Sequence, residues 1–170
     1  MIQRLLASRA AYFLGFVGCF GLVVFALYIQ QKNALEPCPL CIFQRITYMA
    51  LGVAFLVAGL HNPGALGRKV HAGLQLVITM VGMGIALRHM WIQSHPDEVM
   101  AECGAGLGYL FERLPASRVI QMVFKGTGEC TAIDWTLLDL TIPQLSLLAF
   151  IVLGLYAIAL FVAKRTNKHL

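Results

Sequence analysis

The sequence predicts an all-α membrane protein, a four-transmembrane-helix bundle with one long outer loop. Hydrophobic residues make up 59% of the 170 residues and charged residues only 12%, a balance unlike that of soluble domains. Four stretches contain no Asp, Glu, Lys or Arg, namely 10–31, 46–67, 70–87 and 140–163. Each holds at least 18 residues, enough for a helix across a hydrocarbon core of about 30 Å. We therefore expect a single integral membrane domain over residues 1–170.

The expected helices follow these stretches, with ends adjusted to turn signals. They run about 11–30, 42–60, 70–92 and 143–163, with outer loops at about 31–41 and 93–142. Pro63-Gly64 marks the turn between the second and third helices, and Pro143 suits the start of the fourth. Within the long loop, residues 115–124 mix apolar and polar side chains and predict a short interfacial helix. A helix buried against the bundle is the alternative.

Small residues predict where the helices pack. The second helix carries Ala50, Ala54 and Ala58 at four-residue spacing, and the first carries three glycines at three-residue spacing, Gly15, Gly18 and Gly21. Because lipid provides no hydrophobic drive between helices, close backbone approach at small residues stabilises their association. Both rows are expected to be packing faces.

The charges predict the orientation of the bundle. Basic residues without acidic neighbours flank one side, Arg4, Arg9, Arg68, Lys69, Lys164, Arg165 and Lys168. All eight acidic residues fall in the segments on the other side, Glu36, Asp97, Glu98, Glu102, Glu112, Glu129, Asp134 and Asp139. The positive-inside rule therefore places both termini and the 61–71 loop in the cytoplasm. The net charge of +5 follows from topology and does not indicate nucleic acid.

Four of the five cysteines, Cys38, Cys41, Cys103 and Cys130, fall on the outer side, while Cys19 lies within a span. We expect Cys19 to be inert packing. An oxidising outer compartment allows disulfides, and spacing favours the pairs 38–41 and 103–130. The second pair could be a purely structural disulfide that stabilises the fold by roughly 3–4 kcal/mol. Its polar, glycine-containing flanks instead predict an exposed disulfide open to exchange.

The pair Cys38-Pro-Leu-Cys41 opens the second helix, and Arg45 follows one turn later. The helix N-terminus favours an anion, and Arg45 on the same face adds a cation. Cys41 is therefore expected to be the more reactive sulfur toward the membrane. A four-thiolate zinc site would need a second close pair, whereas 26 residues separate Cys103 from Cys130. We predict no metal.

Two further side chains are candidates for the same site. Arg45 could merely snorkel to the interface, but its position beside Cys41 favours a functional role. His89 falls near the outer end of the third helix at a similar depth. It could donate a hydrogen bond to a carbonyl oxygen or pass a proton, or it could be structural. Arg88 faces elsewhere and is expected to snorkel.

The run Glu-Pro-Cys-Pro-Leu-Cys-Ile-Phe-Gln-Arg at 36–45 closely resembles the signature of the bacterial disulfide bond formation protein B (DsbB) family. The resemblance continues at 89–96, 128–130, Trp135 and 142–144, and covers all four spans and both cysteine pairs. It implies a quinone-dependent thiol oxidase of the bacterial inner membrane with periplasmic cysteines, using ubiquinone or menaquinone. It also implies a soluble thioredoxin-like, DsbA-type dithiol oxidase as the partner, so that disulfides are generated de novo.

The resemblance also implies roles for individual residues. The partner attacks Cys103, whose companion is Cys130, and Cys38 accepts electrons from that loop pair. By the same match, Cys41 contacts the quinone ring, and Arg45 and His89 lie beside its oxygens. The neighbouring residues at 43 and 44 are expected to modulate quinone affinity.

Two rival functions remain open on sequence. A reductase of the vitamin K epoxide reductase-like type could run the same chemistry in reverse, since spacing does not determine the direction of electron flow. A non-enzymatic membrane protein could use the cysteines as metal ligands or as structural disulfides.

Overall fold

The computed structural model describes residues 9–98 and 128–162, with Pro115 and Ser117 between them. Four long helices account for most of these residues, α1 Arg9–Lys32, α2 Pro39–His61, α3 Ala65–Ser94 and α4 Ile142–Val162. All four are long and apolar enough to cross a membrane. The predicted four-helix architecture is confirmed.

Two helices begin at least three residues earlier than predicted. α3 starts at Ala65 rather than near 70, because the good helix formers Arg68 and Lys69 extend it beyond the charge-free stretch. α2 starts at Pro39, a residue suited to the first helical position because its missing N–H has no helical partner there. The cysteine pair therefore spans the helix N-terminus itself.

The connections between helices are short where the structure describes them. α2 ends at His61, and Asn62 adopts a left-handed φ of 44° while its N–H donates to the Ala58 carbonyl at 3.2 Å. This is a common way to close a helix C-terminus. Gly64 then caps α3, so the predicted turn at Pro63-Gly64 is confirmed.

The segment before α4 contains elements that the sequence analysis did not predict. Short 3-10 helices cover Pro96–Glu98 and Gly128–Cys130, and two short strands, β1 Thr136–Leu137 and β2 Leu140–Thr141, pair antiparallel. The two residues between the strands have φ values of 53° and 62°, as a tight two-residue hairpin requires. The predicted interfacial helix at 115–124 lies outside the described residues, except for two isolated positions.

Packing runs through neighbouring pairs, α1 on α2, α2 on α3 and α3 on α4. The centre of the bundle is a buried cluster that includes Cys19, Leu51, Phe55 and Phe150, so the expected burial of Cys19 is confirmed. At the end away from Cys38, the Tyr156 hydroxyl donates to the Ala11 carbonyl at 2.7 Å and ties α4 to α1. The outer faces expose large apolar side chains, as lipid contact requires.

The predicted packing face of α1 is only partly right. Gly15 packs against the Phe55 ring, whereas Gly18 and Gly21 are exposed with open space around them. A three-residue spacing falls short of the 3.6-residue helical turn, so the glycine row drifts off the buried face. The four-residue spacing on α2 overshoots the turn, and Ala50 is exposed although Ala54 and Ala58 are buried.

Gly82 of α3 packs against the Phe150 ring of α4, and it allows a direct test of this packing. A Cβ at Gly82 would lie 2.4 Å from the Phe150 ring, which is fully buried and stacked on Tyr48 with centroids 4.1 Å apart. We expect Gly82→Ala to destabilise the bundle by about 1–3 kcal/mol, seen as a lower thermal unfolding midpoint in detergent. Gly84→Ala, where a Cβ meets nothing within 4 Å, is the control. Equal midpoints for the two variants would contradict this packing.

Candidate functional site

A cavity of about 280 Å³ lies at the end of the bundle that carries the cysteine pair. Its apolar walls come from α1 and α4, through Leu22, Val23, Phe25, Ala26, Ile29, Ile142, Leu145 and Ala149. Its polar groups come mainly from α2 and α3, through Cys38, Cys41, Gln44, Arg45, Tyr48 and His89. An apolar cleft with a few convergent polar groups is typical of a small-molecule site.

The two cysteines of the pair are adjacent unbonded thiols at the N-terminus of α2. The Cys38 sulfur caps the helix by accepting the Cys41 backbone N–H at 3.4 Å, and its own S–H donates to the Cys41 sulfur at 3.1 Å. Cys38 is buried, while Cys41 is partly exposed and lines the cavity. The pair can therefore exchange between dithiol and disulfide beside a space for a ligand.

Cys130 completes a row of three sulfurs. It is fully buried in the short 3-10 helix that packs on α3, and its side chain hydrogen-bonds to Cys38. This hydrogen bond alone would lower the pKa of Cys38. The hydrogen bond from Cys38 to Cys41, together with burial, outweighs it and raises that pKa above the ordinary range. Cys38 therefore keeps its proton at neutral pH.

The expected exposure of the Cys103–Cys130 disulfide is wrong for Cys130, which has no exposed surface. The chain around it folds over the ends of α2 and α3, where Gln93 donates to the Ala132 carbonyl at 3.3 Å. Cys103 lies outside the described residues, so its pairing with Cys130 stays a prediction.

His89 belongs to the sulfur cluster, which the sequence left open. It is only 2% exposed, and its Nε2 lies 3.6 Å from the Cys38 sulfur. The ring also hydrogen-bonds to the backbone of Cys130. His89 thus contacts both the pair on α2 and the segment that carries Cys130.

Gln44 positions the histidine. This side chain is 3% exposed, and its Nε2 lies 3.4 Å from Nδ1 of His89. Because an amide nitrogen only donates, Nδ1 accepts and the ring proton lies on Nε2, facing Cys38. The sequence suggested an effect of Gln44 on ligand affinity but not this contact. Its position three residues after Cys41, on the same helical face, was the available signal.

Arg45 also reaches the cavity, and a residue of α1 holds it there. Its Nη1 donates to Oε1 of Gln30 at 2.5 Å, and both side chains line the cavity. Gln30 was not singled out from the sequence, because nothing local relates α1 to α2. Arg88 instead lies over the Trp91 ring, 4.2 Å from its centroid, so the expectation that it faces elsewhere is confirmed.

Tyr48 forms the inner wall of the cavity. Its hydroxyl donates to the Ser146 carbonyl at 2.9 Å, and its ring stacks on Phe150. This side chain therefore links α2 to α4 directly beneath the polar groups. Sequence reasoning missed it, since an aromatic residue in an apolar helix carries no local signal of a site.

Three ligand-type atoms cluster tightly in this site. The sulfurs of Cys38 and Cys41 and a ring nitrogen of His89 all lie within 4.8 Å of one another. These donors are of the type that soft divalent metals prefer. The absence of a resident metal stays a prediction.

The sequence of this chain is similar to those of known proteins. The model of the family described as Disulfide bond formation protein DsbB matches residues 8–160. A relative named Disulfide bond formation protein B from Methylobacillus flagellatus is 59% identical over 97% of this chain and 99% of its own length. Relatives of the same name from Xanthomonas euvesicatoria and Nitrosococcus oceani are 46% and 44% identical, over 95% and 90% of both chains.

Proposed function

Because this chain belongs to the DsbB family of disulfide bond formation proteins, we propose that it oxidises a thioredoxin-fold dithiol protein and passes the electrons to a membrane quinone. Family membership makes it a disulfide bond formation oxidoreductase, and its four apolar helices make it a multi-pass membrane protein. The observation that carries the quinone proposal is the apolar cavity that meets the Cys38/Cys41 pair.

The residues around the cavity fit a quinone, either ubiquinone or menaquinone. The apolar side chains of α1 and α4 suit an apolar ring and tail, and Arg45 offers donors for a ring oxygen. His89 lines the same end of the cavity, where its ring contacts Cys38. A bound quinone would supply the two-electron oxidant, taking up two electrons and two protons and leaving as quinol. Arg45 and Gln30 would orient the ring, and Tyr48 would set how deeply it enters.

The cysteines divide the thiol chemistry between two pairs. A partner thiolate attacks the Cys103–Cys130 disulfide at Cys103, which forms a mixed disulfide and releases Cys130 as a thiol. Cys130 then attacks Cys38 in the Cys38–Cys41 disulfide, releasing Cys41. The contact between Cys130 and Cys38 supports this step.

Two further exchanges complete the transfer. The second thiol of the partner resolves its mixed disulfide, so that the partner leaves oxidised and Cys103 is freed. Cys103 then attacks the Cys38–Cys130 bond, which restores the loop disulfide and leaves Cys38 and Cys41 reduced. Electrons and protons thus reach the pair beside the cavity, and re-oxidation of that pair closes the cycle.

Negative charge is expected to reside on Cys41 rather than Cys38. The Cys38 S–H points at the Cys41 sulfur from 3.1 Å, the helix N-terminus adds its dipole, and Arg45 lies one turn further along α2. The sulfur that lines the cavity is therefore the better electron donor.

We further propose that the protein lies in the bacterial inner membrane with both termini cytoplasmic and the active cysteines periplasmic. The support is the distribution of charges along the chain. Labelling of single-cysteine variants in intact cells tests this orientation. A maleimide that cannot cross the inner membrane should reach a cysteine placed at Glu36 but not one placed at Gly64.

The decisive experiment supplies purified protein with a reduced thioredoxin-fold partner and ubiquinone. We expect stoichiometric loss of quinone and of partner thiols. The matched arm supplies quinol and oxidised partner, and net reduction of the partner in that arm alone would favour the vitamin K epoxide reductase-like direction instead.

His89→Ala is expected to slow quinone reduction by about fivefold, the loss of roughly one neutral hydrogen bond or about 1 kcal/mol. If Gln44 acts by orienting His89, Gln44→Ala should add little to this loss in the double variant. Steady-state rates of the two single variants and the double variant measure this coupling. His61→Ala, at the opposite end of α2, is the control. Additive losses would show that Gln44 acts independently of the histidine.

A further inference from the structure

The geometry points to a metal-capture site in the reduced protein: we propose that Cys38, Cys41 and His89 bind one soft divalent cation of the Zn²⁺ type. We also propose that this binding inhibits turnover. The inhibitory part rests on the proposed function, whereas the binding itself does not. The cation is an inhibitor of the dithiol state and not a resident cofactor.

Two of the three donor separations can be compared with those of a tetrahedral site, and the third, between the Cys41 sulfur and a ring nitrogen of His89, is within 4.8 Å. Zinc bound at its usual distances to sulfur and nitrogen requires a sulfur–nitrogen separation of roughly 3.5 Å and a sulfur–sulfur separation of roughly 3.8 Å. Nε2 of His89 already lies 3.6 Å from the Cys38 sulfur. The two sulfurs are 3.1 Å apart, so small side-chain rotations open the pair around the ion.

Neighbouring groups already support these ligands. The Cys41 backbone N–H points at the Cys38 sulfur from 3.4 Å, which stabilises charge on a metal-bound thiolate. Gln44 lies at Nδ1 of His89, and a half-turn of its amide would present an oxygen to the Nδ1 proton of a metal-bound ring. Such outer contacts fix the orientation of metal-binding histidines and raise affinity.

The redox state of the pair controls this binding. Soft thiolates are preferred ligands of Zn²⁺, and binding releases the Cys38 proton, and any proton that Cys41 still carries, without any change in oxidation state. When Cys38 and Cys41 form a disulfide, both sulfurs lose their ligand charge and the site disappears. A bound cation accepts a lone pair from each of the two sulfurs. The pair can then neither be re-oxidised to a disulfide nor exchange with Cys130.

This site differs from the one considered from sequence. The four-thiolate arrangement required Cys103 and Cys130 as a second pair, whereas the structure places a histidine of α3 beside the first pair. All three donors belong to helices or their caps, so their relative positions depend on the packing of α2 on α3 and not on the long loop.

Anaerobic titration with Co²⁺ as a spectroscopic probe tests the site. In protein reduced by a phosphine, we expect one Co²⁺ per chain, with thiolate-to-metal charge-transfer bands and the intense visible bands of tetrahedral Co²⁺, which Zn²⁺ displaces. Disulfide-oxidised protein should show neither feature. Cys41→Ser and His89→Ala should each weaken binding at least about tenfold, while Cys19→Ser, at the buried cysteine of α1, should bind as wild type does.

Several outcomes would overturn the proposal. These are no tetrahedral signal in the reduced protein, the same signal in the oxidised protein, or undiminished binding by Cys41→Ser. A second arm measures quinone reduction with and without chelator-buffered Zn²⁺. We expect inhibition that the chelator reverses, and Co²⁺ binding without any such inhibition would refute the inhibitory role. Quinone reduction without a Co²⁺ signal refutes only the metal site, whereas a Co²⁺ signal without metal-free quinone reduction refutes only the proposed function.

Discussion

Cys41→Ser is expected to abolish quinone reduction, to the background rate of quinone with free thiols. The hydroxyl of serine cannot form the disulfide with Cys38 that re-oxidation of the pair produces, and it lacks the thiolate that lines the cavity. Because Cys103 and Cys130 are unaltered, a reduced partner should still form its mixed disulfide with the loop. Quinone consumption measures the reduction of quinone. Non-reducing gels measure separately the mixed disulfide between the partner and the loop.

The matched control is Cys19→Ser, since Cys19 is buried on α1 in the centre of the bundle. It should retain both activities, apart from a modest loss of stability. Turnover by Cys41→Ser at the wild-type rate would refute the route through the pair. Loss of partner trapping together with quinone reduction would show that the variant disturbs the loop as well as the pair.

Arg45→Ala is expected to raise the apparent KM for quinone by at least about tenfold. A hydrogen bond to a charged donor contributes about 1.5–3 kcal/mol, and each 1.36 kcal/mol corresponds to a factor of ten. The Arg45 guanidinium lines the cavity and is held there by Gln30 of α1. The substitution therefore removes a cation from the polar end of the cavity. Initial rates over a range of quinone concentrations separate KM from kcat.

Two companion variants make this result specific. Gln30→Ala leaves the charge but frees the guanidinium, so it should raise KM by a smaller factor in the same direction. Arg88→Ala removes a cation that lies over Trp91 on α3, and its KM should equal that of wild type. An unchanged KM in Arg45→Ala would mean that this arginine only anchors α2 at the interface.

Composition and spacing were sufficient for the architecture, and they pointed to Cys38, Cys41 and Arg45, which line one cavity in the structure. Charge-free stretches predict helices across a membrane because an uncompensated charge is costly inside the bilayer. This cost depends only on the segment that carries the charge, so it can be judged from local sequence. The pair at Cys38 and Cys41 opens a helix where Pro39 predicts one. Arg45 shares a face with Cys41 through helical periodicity alone, and the family resemblance was carried by these same residues.

The contacts between helices could not be predicted, because they depend on which faces meet. His89 became part of the sulfur cluster only when α3 packed on α2, and Gln30 met Arg45 only when α1 did. The burial of Cys130 reverses an expectation from its polar flanks, since the chain around it folds over two helix ends. Local sequence thus specified the helices and pointed to candidate site residues, whereas tertiary packing decided which side chains share the cavity. The physical reason is that lipid offers no hydrophobic drive between helices. Shape complementarity and hydrogen bonding therefore determine which helix faces pack together.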